Sequence, residues 1–225
     1  MSPQRQALES VLQTLDNAAS AAGRPIPRLL AVSKTQPAAA VAALADWGQR
    51  AFGENYVQEA IAKIEALRDR DLEWHLIGHL QSNKCREVAG HFDWVQSLDR
   101  AKLVEALNHH RADDRPPLNV LIQVNADGEA GKSGCAPAEI AGLARAVAAA
   151  PRLRLRGLMA IPEPTPDFSR RRQTFRQLRG WFDELQREHP GMDTLSMGMS
   201  EDFELAIAEG ATMVRIGSAL FGPRT

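Results

Sequence analysis

Cysteine is scarce in this chain. Cys85 and Cys135 are the only two among 225 residues, far apart and in no C-x-x-C pattern. They read as free thiols in a reducing compartment, and neither has a local motif that would activate it. An excess of either charge is also missing: 27 Lys and Arg face 28 Asp and Glu, for a formal net charge of -1. Bulk charge therefore advertises no nucleic-acid or membrane partner. No window is apolar enough to span a bilayer, and Met1–Gln6 opens a polar amphipathic stretch, unlike a signal peptide. A cytoplasmic address is the expectation. Low-complexity segments and short-period repeats are absent, and tyrosine occurs once, at Tyr56.

What is present is an ordinary globular balance, 44% hydrophobic and 24% charged, over a length that suits one α/β barrel. Short apolar runs alternate with longer amphipathic ones, the pattern of repeated βα units. An opening helix is predicted over Pro3–Ala21, with Leu8, Val11, Leu12 and Leu15 on one face. Strands are predicted near Leu29–Ser33, Ala51–Gly53, Glu73–Gly78, Trp94–Ser97, Asn119–Asn125, Arg154–Ala160, Thr194–Met197 and Met213–Ile216. Between them, Pro37 can begin a helix at its first turn. Glu54–Leu67 shows Val57, Ile61 and Ile64 at helical spacing, and Phe168–Leu185 carries Phe175, Leu178, Trp181, Phe182 and Leu185 on one stripe. Arg111–Pro117 and Pro162–Pro166 read as surface loops. Eight strands with intervening helices predict a (β/α)8 TIM-type barrel with an extra N-terminal helix, one domain over residues 1–225. A doubly wound open sheet is the alternative.

The chemistry lies at the two ends of the chain. Lys34, in Ala31-Val32-Ser33-Lys34-Thr35, stands where the first strand stops. A lysine partly removed from water loses basicity, and its neutral amine can attack an aldehyde; the plainer reading is the solvated end of a strand. The last two units carry glycine-bearing turns, Ser196-Met197-Gly198-Met199-Ser200 and Arg215-Ile216-Gly217-Ser218. Such turns let backbone N–H groups approach an anion, and Ser200 is a good N-cap for a helix starting near Glu201. Either glycine alone reads as no more than a tight turn; both together, after strands seven and eight of a barrel, point to a phosphate site. Glu201 and Asp202 would repel a phosphate unless turned away. Closure of a barrel makes strand one the neighbour of strand eight, so Lys34 and Arg215 would share a rim. An amine, an anion cradle and a fixed cation around one pocket fit pyridoxal 5′-phosphate.

Those segments, with Phe52-Gly53-Glu54-Asn55-Tyr56, Trp74-His75-Leu76-Ile77-Gly78, Leu80-Gln81-Ser82-Asn83-Lys84 and Phe221-Gly222, resemble the pyridoxal phosphate homeostasis proteins, the YggS-like, proline-synthase-co-transcribed homologues. The resemblance covers nearly the whole chain. It implies a barrel like the N-terminal domain of alanine racemase, with pyridoxal 5′-phosphate held as a Schiff base on Lys34. It places Ser200, Gly217 and Ser218 in the phosphate loops, Asn55 beside the cofactor ring, and Arg215 opposite the pyridine nitrogen. His75 and Met197 complete the expected cofactor-binding set. Ser218 stands where threonine is common in the family, and the hydroxyl is kept.

A guanidinium only donates hydrogen bonds, so Arg215 would keep that nitrogen unprotonated and the ring a poor electron sink. Racemisation needs a base on each face of the reacting carbon, and this chain offers only Tyr56 or His75 beside Lys34. The expectation is a non-catalytic carrier for cofactor storage, buffering or delivery, with apo-enzymes that use the cofactor as possible recipients. It is expected to be a monomer, with no metal and no catalytic residue. The alternatives are an amino-acid racemase of the alanine racemase fold, or a barrel enzyme forming an imine between Lys34 and a phosphorylated sugar. The run Arg170-Arg171-Arg172 reads as a solvated helix face, and His75 with His79 lacks a third metal ligand. Lys132, in Gly131-Lys132-Ser133-Gly134, is a candidate for holding cofactor transiently.

Overall fold

A computed structural model of the chain describes residues 3–128, 131, 133–163 and 165–222. Eight parallel strands close into a barrel in sequence order: β1 (Arg28–Val32), β2 (Ala51–Glu54), β3 (Glu73–Leu76), β4 (Trp94–Leu98), β5 (Leu118–Gln123), β6 (Leu153–Met159), β7 (Thr194–Ser196) and β8 (Met213–Ile216). β8 returns to β1 with Leu30 opposite Arg215 and Ala31 opposite Ile216. The open-sheet alternative is thereby excluded. The helices are α1 (Pro3–Ala22), α2 (Ala38–Asp46), α3 (Val57–Ala66), α4 (Cys85–His91), α5 (Ala101–His110), α6 (Ile140–Ala148), α7 (Phe168–Glu188), α8 (Phe203–Ala208) and α9 (Ser218–Phe221). None of the described helices is long and apolar enough to cross a membrane.

The strands are short apolar runs buried on both faces, as a parallel barrel demands. One set of alternating positions, including Ala31, Phe52, Trp74, Leu76, Val95 and Val214, packs with the helices. The other set faces the interior, where Leu30, Ala51, Ile77 and Met213 form one small apolar cluster and Trp94, Leu121 and Met159 another. The interior is not wholly apolar: His75, Gln96, Ser196 and Arg215 are buried there too. α1 lies outside the barrel against α2, α8 and α9 through Leu8, Val11, Leu15 and Ala19. Leu12, expected on that stripe, is 45% exposed, because it falls at the edge of an arc already filled by residues at i, i+3 and i+7.

Several boundaries differ from the sequence expectation. Pro37 sits one place before α2 as its N-cap, with extended backbone at φ -69° and ψ 155°. Glu54 belongs to β2 rather than to the following helix, which starts at Val57. Ser200 caps no helix: α8 begins at Phe203, and Asp202 occupies the N-cap position. Arg111, expected in a surface loop, is buried and donates to the carbonyls of Ala89, Phe92 and Pro116, tying α4 to the loop before β5.

Candidate functional site

The C-terminal ends of the strands surround a cavity of about 410 Å3. Lys34, Asn55, Ser200, Arg215, Gly217 and Ser218 all line it, so residues near opposite ends of the sequence meet on one rim. The period-two alternation explains why: Leu30 and Val32 face the same side as Lys34, and Met213 faces the same side as Arg215. The remaining wall comes from Val32, Ile77, Ile161, Pro162, Arg171, Met199, Glu201 and Asp202.

The Lys34 turn is built firmly. β1 ends at Val32, and Thr35 adopts φ 65°, a left-handed conformation uncommon for a β-branched residue. The surroundings hold it there. The Thr35 N–H donates to Glu59 Oε1 at 2.6 Å. The Ser33 N–H donates to the Gly53 carbonyl, and the Ser33 carbonyl accepts from Gln36 N–H. Beneath the turn, buried Lys63 donates from Nζ to the Ser33 carbonyl, Glu54 Oε1 and Glu59 Oε1, each at 2.7 Å. Ser33 Oγ donates to the same Glu54 oxygen at 2.6 Å. Burial raises the Glu54 carboxyl above its ordinary range, against the opposing pull of Lys63 and Ser33. Sequence reading missed this clamp. Its one local signal is a charged residue, Glu54, closing an apolar strand.

Asn55 is positioned by close backbone approach. A Cβ on Gly78 would come within 2.1 Å of the Asn55 carbonyl oxygen, so only glycine fits at position 78. Across the cavity, the turns after β7 and β8 converge, with Ser218 Oγ 3.3 Å from Ser200 Oγ. Gly217 lies against Val32, where a Cβ would approach the Val32 carbonyl at 3.3 Å. Gly198 serves packing instead. It has φ +92°, and a Cβ there would strike Ala206 of α8 at 2.6 Å. Asp202, a concern for any anion, turns its Oδ1 onto the Met199 N–H at 2.7 Å.

Arg215 forms the floor and is almost fully buried. Nη1 donates to the Ser196 carbonyl at 2.8 Å and to Ser196 Oγ at 2.9 Å, while Nη2 donates to the Ala160 carbonyl at 2.8 Å. Burial lowers its pKa to about 10, against the opposing field of Asp202. At neutral pH it is therefore still a cation, and its hydrogen bonds among the described residues go to neutral oxygens.

Two of the residues expected around a cofactor stand elsewhere. His75 is on β3 inside the barrel and is not part of the cavity wall. Its ring stacks on Trp94 at 5.0 Å between centroids, Nε2 meets Glu73 Oε1 at 2.7 Å, and Nδ1 meets Gln96 Nε2 at 2.9 Å. Met197 is buried in the sheet–helix layer, and Met199 lines the cavity instead. Parity gives the reason: Ser196 points inward, so its neighbour points outward. Conversely Arg171, read as part of a solvated face, lines the cavity and donates to the Thr165 carbonyl. It lies in the first turn of α7, directly after the loop that follows β6. Lys132 lies outside the described residues.

Residues 5–225 match the family model described as alanine racemase, N-terminal domain. The chain is 53% identical to the pyridoxal phosphate homeostasis protein of Pseudomonas aeruginosa, covering all of this chain and 97% of that one. It is 52% identical to the protein of the same name from Escherichia coli K12, over 96% of this chain and 95% of the relative. Among solved structures, PipY of Synechococcus elongatus with pyridoxal 5′-phosphate bound superposes with a TM-score of 0.85 at 38% identity, covering 97% of this chain and all of that one.

Proposed function

The chain belongs to the pyridoxal phosphate homeostasis protein family, and from that premise we propose that its rim cavity holds pyridoxal 5′-phosphate for storage, buffering and delivery. One observation carries this reading: a single cavity is lined by an amine-bearing turn, a pair of converging hydroxyls and a buried cation. The group brings an aldehyde that condenses reversibly with a primary amine, releasing water. Lys34 supplies that amine. The hydroxyls of Ser200 and Ser218, with the Gly217 backbone, receive the phosphate. Asn55 flanks the ring, and Arg215 donates to its nitrogen.

The residues around the cavity favour holding over catalysis. Arg215 is protonated at neutral pH, with its pKa at about 10, so a ring nitrogen facing it accepts a hydrogen bond and stays unprotonated. Such a ring withdraws electrons weakly and loosens bonds at a neighbouring carbon little. A racemase reading also needs a second base opposite Lys34. Tyr56 is 58% exposed and lines an adjoining groove with His79 and Lys84, not this cavity. His75 is sealed beneath the floor. The carrier acts as a monomer, and its expected recipients are apo-enzymes that use the same cofactor.

Absorption spectroscopy tests the reading. The protein incubated with pyridoxal 5′-phosphate should develop a visible band that survives desalting and is lost in Lys34→Ala, while enantiopure amino acids keep their configuration. A band independent of Lys34 would refute the assigned anchor, Lys34-dependent racemisation would refute the non-catalytic role, and light scattering decides the monomer.

A further inference from the structure

The barrel interior contains a continuous hydrogen-bonded chain joining its two ends. At the end away from the cavity, Arg28 Nη2 donates to Glu73 Oε1 at 2.6 Å. Glu73 meets His75 Nε2 at 2.7 Å, and His75 Nδ1 meets Gln96 Nε2 at 2.9 Å. Ser196 Oγ donates to Gln96 Oε1 at 2.7 Å and accepts from Arg215 Nη1 at 2.9 Å. Residues from β1, β3, β4, β7 and β8 take part, and His75, Gln96, Ser196 and Arg215 are all buried.

The direction of every bond is forced. Burial works against ionising Glu73, but His75 and Arg28 outweigh it and hold its carboxyl down at about 2, so it only accepts. His75 must then donate from Nε2. Burial lowers the His75 pKa against the pull of Glu73 and the weaker pull of Asp93, with Arg28 adding to the lowering. A neutral ring that donates from Nε2 accepts at Nδ1. Gln96 must therefore point its amide nitrogen at His75, which turns its oxygen towards Ser196. The Ser196 proton fills that oxygen, so the hydroxyl can receive Arg215 only through a lone pair. The second Gln96 N–H lies on Met213 Sδ at 3.2 Å. Each link thus turns its acceptor side to the Arg215 cation and its donor side to the Glu73 anion, and aligned links of this kind polarise one another.

We infer that Gln96, Ser196 and His75 are positioning residues for Arg215: a one-directional relay, anchored at Glu73 on the far end of the barrel, fixes which guanidinium hydrogens face the cavity. Among the described residues no carboxylate hydrogen-bonds to Arg215 and Asp202 acts on it only through its field, so the relay supplies a directed acceptor beneath the cation. The inference rests on the reading of the cavity as a pyridoxal 5′-phosphate site only in naming the ring nitrogen as what Arg215 serves.

The test has arms with and without that ligand. In the ligand-free protein, long-range 1H–15N correlation at neutral pH should show His75 protonated at Nε2 only. A proton on Nδ1 at neutral pH overturns the relay without any substitution being needed. Gln96→Leu and Ser196→Ala should speed exchange of the Arg215 Nη protons on the order of tenfold to a hundredfold, as expected for loss of a buried bond to a charged group, and Ser196→Thr should restore slow exchange. With pyridoxal 5′-phosphate labelled at the ring nitrogen, both disrupting variants should still load through Lys34, with the nitrogen resonance displaced from its wild-type position. Loading with an unmoved resonance overturns the positioning role and leaves the cavity reading intact. Failure of the wild-type protein to load overturns the cavity reading, while the histidine and arginine spectra still decide the relay.

Discussion

Replacing Lys63 by methionine removes the cation beneath the Lys34 turn while keeping most of its volume. In the native protein, Lys63 Nζ donates three bonds of 2.7 Å, and the Glu54 side chain it meets is fully buried. Glu54 Oε2 meets no donor among the described residues. Without Lys63, a charged Glu54 would be stranded, and the less costly course is to bind a proton. From its ordinary value of 4.5, that costs about 1.4 kcal/mol for each pH unit up to 7, or about 3.4 kcal/mol. The lost bond to the Ser33 carbonyl adds to this, which brings Lys63→Met into the range of about 3–5 kcal/mol found when a buried pair is broken. The sign of the pH dependence follows. The folded variant keeps a proton on Glu54 that the unfolded chain releases above 4.5, so its stability is greatest at low pH and declines as pH rises. Relative to wild type, whose own Glu54 is already raised, it should recover up to about 1.4 kcal/mol per pH unit between pH 7 and pH 5. Urea unfolding at the two pH values measures both quantities, and Lys63→Met with Glu54→Gln should restore part of the loss at pH 7. A variant within about 1 kcal/mol of wild type at pH 7, with no added recovery at pH 5, would refute the clamp as drawn.

Gly198→Ala should cost about 2–4 kcal/mol in thermal unfolding, because the added methyl meets Ala206 at 2.6 Å and φ is +92°; a neutral result would mean that the turn after β7 yields freely. Cys85 and Cys135 are buried, and burial pushes their thiols up to about 11 and about 12. Neither should react with a thiol reagent at pH about 8 until the protein unfolds, and rapid native labelling would contradict their placement. Acid should act through the barrel interior. His75 has its pKa lowered in the fold, so below its ordinary 6.5 the unfolded chain takes up a proton that the folded chain refuses. This contribution removes up to about 1.4 kcal/mol per pH unit. Glu73, held at about 2, adds stability that is complete above 4.5 and lost as pH falls towards 2. A calorimetric series from pH 7 to pH 3 checks both, with His75→Gln expected to flatten the upper part of the curve.

The order of elements was legible in the sequence. Short β-branched and leucine-rich runs alternate with amphipathic stretches, and each of the eight predicted strands overlaps an observed one. The places of Lys34, Ser200, Arg215, Gly217 and Ser218 on the cavity wall were also legible, because each lies in or just beyond a strand end where local pattern and glycine turns mark the rim, whereas Asn55 was named only through the family resemblance. Met197 was placed wrongly although parity could have corrected it, since a residue next to inward-facing Ser196 faces the helices. Ser200 was mistaken for a cap because capping propensity is local, whereas the start of α8 is set by Asp202 bonding back to Met199.

The amino-acid pattern by itself determined repeated βα units and a lysine at one of the strand ends, since periodicity and chain order suffice for both, whereas closure into a barrel was decided by the pairing of β8 with β1. Only the tertiary structure decided that Lys63, Glu54 and Glu59 meet under that lysine, that Arg171 reaches the cavity, and that Glu73, His75, Gln96, Ser196 and Arg215 form one line through the interior. Those groupings depend on strand stagger and on which side chains cross the barrel, and no spacing along the chain encodes a distance across it.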